Sequence, residues 1–234
     1  MIKIEKTEIS GWEVAIRGMR NPLNSWEKSD SYWTHVEDKE TLNTGNFEFF
    51  VGAEDLKLMK KLSKAGNDHA KYLRMIDVTV DITAPLYWWK EFDTYKVGTV
   101  ANSCSTMHKI HDKEFDINDF SHEHLIDVDE TCNESFRYIL EEHIINALNL
   151  ARNQYLKTKD KKYWWQMIQL LPTSYNQKRT VKLNYQVLKQ MYFARRNHKL
   201  DEWHTLCDWM ENLKLFSDIC IMPTEPDNDS WEDK

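Results

Sequence analysis

A thiol is the clearest candidate nucleophile in the chain. Cys104 lies in the polar stretch 102–106, and cationic side chains are close to it in the sequence, namely Lys96, His108 and Lys109. Positive neighbours increase the fraction of a thiol that is ionised, and the thiolate is the nucleophilic form. The pattern therefore predicts a catalytic Cys104, with an inert small residue as the alternative.

A metal site is a weaker interpretation of the same stretch. Cys104, His108 and His111 are spaced four and three residues apart and would align if the segment were helical. Zinc requires three or four such ligands to converge. Histidines on loops are mostly solvated, so we predict no metal, and a metal-stabilised loop stays the alternative.

The second candidate pair is Asn184 and Arg195. Their separation of eleven residues is almost three helical turns, which places them on one helix face about 16 Å apart. Leu188 and Met191 lie between them on that face. An amide and a guanidinium that bracket an apolar stretch suit a ligand with a polar ring at one end and an anion at the other. The alternative is that both residues cap or brace helices.

Basic side chains surround this pair. Between residues 176 and 199 there are seven of them, with no acidic residue in between: Lys178, Arg179, Lys182, Lys189, Arg195, Arg196 and Lys199. Such a local positive region suits phosphate groups. A solvated helix face, or a face that meets an acidic partner, would explain it equally.

The composition limits the class of protein. The 234 residues carry a net charge of -7, the opposite of the balance expected for a general nucleic-acid binder. No apolar run approaches the ~18–20 residues that span a bilayer, and residues 1–6 do not resemble a signal peptide. The four cysteines contain no Cys-x-x-Cys pair, which favours free thiols and a cytoplasmic location.

The hydrophobic pattern predicts mixed strands and helices. We expect strands at 2–8, 49–51 and 76–83, and long irregular segments at 18–47 and 93–131. Helices are expected at 53–73 with a break at Gly66-Asn67, after Pro85, and at 134–157, 161–171, 182–196 and 199–215. The polar tail 223–234 is predicted to be disordered.

Part of this sequence resembles the flavin-dependent thymidylate synthases. That family has a Leu-Pro step, then an Asn that opens a helix and an Arg eleven residues later, and here these are Leu171-Pro172, Asn184 and Arg195. The resemblance implies that Asn184 faces flavin and that Arg195 faces the nucleotide.

The family signature aligns without gaps from Pro85 to Met107 but differs in identity. Glu91 stands at the family's Gln, and 94–96, Thr-Tyr-Lys, stands at its Arg-His-Arg. Cys104 takes the place of the second Ser and Thr106 that of the last Arg. Only Lys96 keeps a positive charge in the triplet, and a lysine does not replace a bidentate guanidinium.

The resemblance implies an α+β fold, a single domain over residues 1–222 with a small antiparallel sheet and several long helices. It also implies a homotetramer and reductive one-carbon transfer to a pyrimidine deoxynucleotide such as dUMP, with FAD, NADPH and methylenetetrahydrofolate. The charge and the lack of a long apolar run predict no nucleic-acid and no membrane partner. The candidate residues are Cys104 and Arg195 for catalysis, Tyr95, Lys96, Asn184 and Gln190 for the cofactor, and Glu91, Thr106 and Arg195 for the substrate. A non-catalytic nucleotide- or partner-binding homo-oligomer on the same fold is the alternative.

Overall fold

The β-strands of the computed structural model form two sheets. The structure describes residues 2–35, 47–128, 131 and 134–222, so the predicted disordered tail lies outside the described residues. The strands are β1 Lys3–Ser10, β2 Tyr32–His35, β3 Phe47–Phe50, β4 Asp77–Pro85, β5 Val100–Ser103 and β6 Asn176–Asn184. One sheet has the order β1-β4-β6-β5, and the other pairs β2 with β3.

The helices account for most of the remaining regular structure. They are α1 Trp12–Arg20, α2 Ala53–Lys64, α3 Leu86–Phe92, α4 Phe136–Tyr138, α5 Asn146–Thr158, α6 Lys161–Leu170, α7 Tyr185–Arg195 and α8 Asp201–Glu211. A π-helical segment, Ile139–Ile145, joins α4 to α5, so the helix predicted at 134–157 is confirmed with a wider turn inside it. The predicted break after α2 is also confirmed.

Strand β4 follows the predicted alternation. Val78, Val80 and Ile82 are fully buried, whereas the residues between them are partly exposed. Pro85 ends the strand with extended backbone and stands at the N-cap of α3. The proline therefore marks the strand-to-helix step, as the sequence indicates.

Strand β6 corrects the prediction of a helix from residue 182. The chain stays extended through Asn184, because Gln177, Val181 and Leu183 alternate as buried residues. The lysines between them project from the other face, where Lys182 pairs with Asp77 at 2.9 Å. A run of basic residues concealed this two-residue alternation, so the strand was missed.

The segment 18–47 is not the long irregular loop that was predicted. Helix α1 extends to Arg20, and its buried residues Trp12, Ala15, Ile16 and Met19 have helical spacing. Strand β2 pairs antiparallel with β3, with Trp33 opposite Phe49. Polar residues and turn signals dominate this part of the sequence, and the pairing of β2 with β3 is a long-range contact that a local pattern does not reveal. The part of the prediction that covers 36–46 lies outside the described residues.

The chain divides into two compact units, each assembled from three stretches. The first contains 1–6, 80–181 and 199–205. A core cluster fills part of it: Ile110, Phe115, Phe120, Leu140, Ile145, Leu148, Ala151 and Met167. Aromatic rings form its second core, with Trp88 at 4.9 Å from Trp89 and 4.8 Å from Trp203 between ring centroids.

The second unit contains 7–79, 182–198 and 206–234. Tyr185 at the start of α7 is fully buried, and its ring meets Trp12 at 5.5 Å and Phe216 at 5.3 Å, both edge-on. Its hydroxyl donates to the carbonyl of Lys214 at 2.7 Å. Edge-to-face contacts of this kind add to the gain from burial and fix ring orientation.

Within the described residues, no helix is both long and apolar enough to cross a membrane. A cytoplasmic location stays a prediction. The single domain over residues 1–222 also stays a prediction.

Candidate functional site

The backbone of Cys104 is fixed by strand β6 of the first unit. Its N–H donates to the carbonyl of Lys178 at 2.9 Å, and its carbonyl accepts from the Gln177 amide at 2.8 Å. The residue itself is exposed. Strand β5, which the sequence pattern missed, delivers the chain to this position. The predicted nucleophile therefore stands at a fixed point of the backbone and is open to solvent.

A polar network beside Cys104 was not predicted. Gln177 is buried and accepts at its side-chain oxygen from the Arg179 guanidinium at 3.0 Å. The same guanidinium donates to Asp93 at 3.0 Å and lies over the Trp89 ring, 4.2 Å from its centroid. The indole N–H of Trp89 donates a hydrogen bond to the backbone carbonyl of Gln177 at 2.9 Å. Arg179 therefore holds the strand that anchors Cys104, and its place in the basic run was the only sequence signal.

The chain after Cys104 is not helical, which removes the alignment that a metal site would need. The hydroxyl of Ser105 accepts from the N–H of His108 at 2.8 Å, and the indole of Trp164 donates to the carbonyl of Met107 at 2.9 Å. His111 packs its ring edge-on against Tyr155 at 4.9 Å. Among the described residues, no three His, Cys, Asp or Glu side chains are grouped closely enough to hold a metal ion.

Two of the predicted ligand-binding residues meet at Trp203. The indole N–H of Trp203 donates to the Glu91 carboxylate at 3.0 Å, and the Tyr95 ring lies 6.1 Å from the Trp203 ring. Lys96 is exposed and Thr106 is partly exposed. Glu91 is thus committed to an aromatic core contact, and Lys96 is the residue of the triplet 94–96 that can offer a charge to an anion.

Asn184 caps helix α7 in the second unit. Its side-chain oxygen accepts from the N–H of Val187 at 3.1 Å, which satisfies one of the unpaired donors of the first turn. Arg195 is the last residue of this helix, and Gln190 is exposed on it. The prediction that one helix joins Asn184 to Arg195 is confirmed. The capping role is the structural alternative that the sequence left open.

Much of the basic run has internal partners. Lys178 pairs with Asp81 at 3.0 Å, Arg179 pairs with Asp93, and the Lys189 amine donates to the Ser63 hydroxyl at 2.7 Å. The hydrogen bond to Asp81 raises the pKa of Lys178, whereas burial lowers the pKa of Lys189. With Lys182 and Asp77, three of the seven basic side chains are therefore paired with carboxylates of this chain, whereas the partner of Lys189 is neutral.

Comparisons with known proteins bear on the fold. No family model matches the sequence, and no curated protein matches it significantly. Among solved structures, two of the flavin-dependent thymidylate synthase ThyX from Helicobacter pylori, with FAD and dUMP, align at 17% and 14% identity. Both have a TM-score of 0.62 and cover 94% of this chain and 98% of theirs.

A third structure extends the likeness to a second enzyme. The UMP/dUMP methylase PolB from Streptomyces cacaoi, with 5-Br dUMP, aligns at 15% identity and a TM-score of 0.51, covering 90% of this chain and 88% of its own. Identities this low establish the fold alone. The predicted α+β class, with a small antiparallel sheet and several long helices, is confirmed, and the chain has the fold of a flavin-dependent thymidylate synthase.

Proposed function

We propose that this protein binds a pyrimidine deoxynucleotide such as dUMP on its thymidylate synthase-like fold. The observation that carries the proposal is the likeness along 94% of the chain to a structure that holds dUMP. The exposed Cys104, fixed by β6, and Arg195 at the end of α7 support it from this chain's own residues. Thr106 is the further residue proposed to contact the nucleotide, whereas Glu91, the other predicted substrate residue, accepts a hydrogen bond from Trp203 instead.

FAD fits the described residues poorly. Its diphosphate carries two negative charges, and the triplet 94–96 offers only Lys96 against it. The side-chain oxygen of Asn184 is used as a helix cap. The proposal therefore concerns binding of the nucleotide.

Catalysis is the finer part of the proposal. Reductive one-carbon transfer to the nucleotide, with NADPH and methylenetetrahydrofolate as co-substrates, is the reaction to be tested, and Cys104 is its candidate nucleophile. The thiolate would add to C6 of the pyrimidine, and the electron pair of the C5–C6 bond would move towards the C4 carbonyl oxygen. The addition would leave C5 nucleophilic, and its reversal would regenerate the thiolate.

Nucleotide binding is tested by calorimetry with dUMP on the purified protein. We expect saturable binding that Arg195→Gln weakens at least tenfold, with Arg74→Gln, an exposed arginine elsewhere in the second unit, as the matched control. No heat with dUMP would reject the proposal. An absorbance spectrum with and without added FAD, followed by tritium release from labelled dUMP, then tests cofactor and turnover.

A non-catalytic homo-oligomer that binds a nucleotide is the second candidate. It is favoured by the internal partners of Lys178, Arg179 and Lys182, which leave fewer cations for cofactor phosphates. It predicts binding of dUMP without uptake of FAD and without tritium release. Sedimentation of the purified protein tests whether the assembly is the proposed homotetramer.

A further inference from the structure

A cavity in the second unit is walled by aromatic rings that are half exposed. It has a volume of about 250 Å³ and is lined by residues of α1, of the short 3₁₀ helix Trp26–Lys28 and of β2. Trp26 is 50% exposed, and Tyr32 and Trp33 are each 55% exposed. Apolar rings gathered around a hollow mark a binding surface more often than rings scattered over a protein.

The two indoles are held in place by their polar edges. The N–H of Trp26 donates to the Asn21 side chain at 2.8 Å, and the N–H of Trp33 donates to the Glu13 carboxylate at 3.0 Å. The Trp33 ring also packs against Phe49, 5.2 Å away between centroids. Because the N–H groups already have partners, the part of each indole that remains for a ligand is its apolar face.

Arg20, which lines the cavity, belongs to a buried ion pair. Arg20 donates to Asp55 at 2.6 Å, and the hydroxyls of Ser29 and Ser31 donate to the second oxygen of Asp55 at 2.7 and 2.6 Å. The remaining nitrogens of Arg20 donate to the carbonyls of Ser25 and Lys28. These groups are therefore committed to each other and are not available to a ligand.

Two charged groups remain for a ligand. Arg17 is exposed, lines the cavity and forms no ion pair with the described part of the chain. Glu13, one turn earlier on α1, uses one carboxylate oxygen for Trp33 and keeps the other as an acceptor. A guanidinium binds carboxylate or phosphate in a bidentate manner, and aromatic faces stack on planar rings.

We propose that this cavity binds a planar heteroaromatic anion, separately from the nucleotide of the proposed function. The ring stacks on the indoles of Trp26 and Trp33, a ring N–H donates to Glu13, and the acidic group pairs with Arg17. The volume admits one or two fused rings. A nucleoside monophosphate and a heteroaromatic carboxylic acid share this chemistry.

The test is isothermal calorimetry with two anions, GMP and indole-3-acetate, and their neutral counterparts, guanosine and indole. We expect at least one anion to bind the native protein. Its affinity should fall at least tenfold in Arg17→Gln and stay unchanged in Arg74→Gln. The neutral counterpart should bind the native protein more weakly than the anion does. Its affinity should be the same for Arg17→Gln as for the native protein, because removing the acidic group and removing the guanidinium abolish the same contact. The anion that binds identifies the ligand class.

Trp26→Ala is the second variant, because its half-exposed ring can be removed without opening the core, and it should also weaken the anion. Circular dichroism confirms that each variant is folded. Neither anion binding the native protein, or equal affinity for the native protein and Arg17→Gln, would overturn the inference. Calorimetry with the same anion on Arg195→Gln separates the sites: the affinity of the anion should be unchanged, whether or not dUMP binds.

Discussion

At the scale of single residues, the ion pair of Arg20 and Asp55 is the most demanding polar feature of the second unit. Both side chains are buried, at 5% and 0% exposure. Burial raises the pKa of Asp55, but hydrogen bonds from Ser31, Ser29 and Arg20 outweigh this and hold the pKa below its ordinary value. Removing one charge of such a pair leaves the other without compensation.

Asp55→Asn should therefore lower the free energy of unfolding at pH 7 by about 3–5 kcal/mol. A lowered pKa in the folded state stabilises the protein above the unfolded pKa of about 3.9, and this contribution is lost as the pH falls through the folded value. In urea unfolding, the difference in the free energy of unfolding between the native protein and the variant should become smaller below that pH. Asp68→Asn, at an exposed carboxylate, is the control, and a pH-independent difference would contradict the prediction.

The cysteines differ in accessibility, and this can be measured directly. Cys104 is exposed, whereas Cys207 and Cys220 are buried. Burial raises the pKa of Cys207 to about 11 and that of Cys220 to about 12. In the native protein, iodoacetamide should modify Cys104 and leave Cys207 and Cys220 unmodified, as measured by mass spectrometry of peptides. Equal labelling of Cys104 and Cys207 would contradict the structure around both.

At the scale of elements, helix α7 depends on its cap. Asn184→Ala should cost about 1 kcal/mol of stability, whereas Asn184→Asp, which keeps the acceptor, should be nearly neutral. Thermal or urea unfolding measures both, and Gln190→Ala on the exposed side of the helix is the control. If Asn184→Asp is as unstable as Asn184→Ala, the hydrogen bond to Val187 does not carry the effect.

The aromatic core of the first unit depends on Trp203. Its ring is fully buried against Trp88, and its indole N–H donates a hydrogen bond to the Glu91 carboxylate. Trp203→Ala should lower stability by about 3–5 kcal/mol, the range for deleting a large buried ring. Trp165→Ala removes a ring that is 43% exposed and should cost much less. Urea unfolding compares the stability of the two variants. Similar losses of stability would mean that Trp203 is not a central residue of this core.

The elements differ in how far the sequence predicts them. Strand β4 and the long helix through α5 show one period over many residues, so local pattern is sufficient. Strand β6 was missed because its exposed lysines resemble the basic face of a helix. Their carboxylate partners, Asp77 and Asp81, lie on β4, and the sequence alone does not show that pairing. Asn184 was placed correctly at the start of a helix. Its capping bond and the Gln177–Arg179 network depend on contacts that sequence spacing does not contain.

At the scale of the whole molecule, charge is the property that separates this protein from nucleic-acid binders. The net charge is -7, and three of the seven basic side chains of the run pair with carboxylates, those of Asp81 and Asp77 on β4 and that of Asp93 directly after α3. Association with DNA is driven by phosphate neutralisation, so both facts oppose it. Partners are therefore expected among small anions at individual sites rather than among polymers.

The prediction is that a labelled DNA duplex shows no change in fluorescence anisotropy with micromolar protein in about 0.1 M salt. A variant with Asp77→Asn and Asp81→Asn removes two of the 38 acidic residues. It releases Lys182 from Asp77 and leaves Lys178 with the more distant carboxylate of Glu5, at 3.9 Å. This variant should gain weak binding to DNA that disappears as salt is raised, because Lys178 and Lys182 have each lost their nearest carboxylate partner. Tight binding by the native protein would mean that the basic run is open to phosphates, and would contradict the cross-strand pairing.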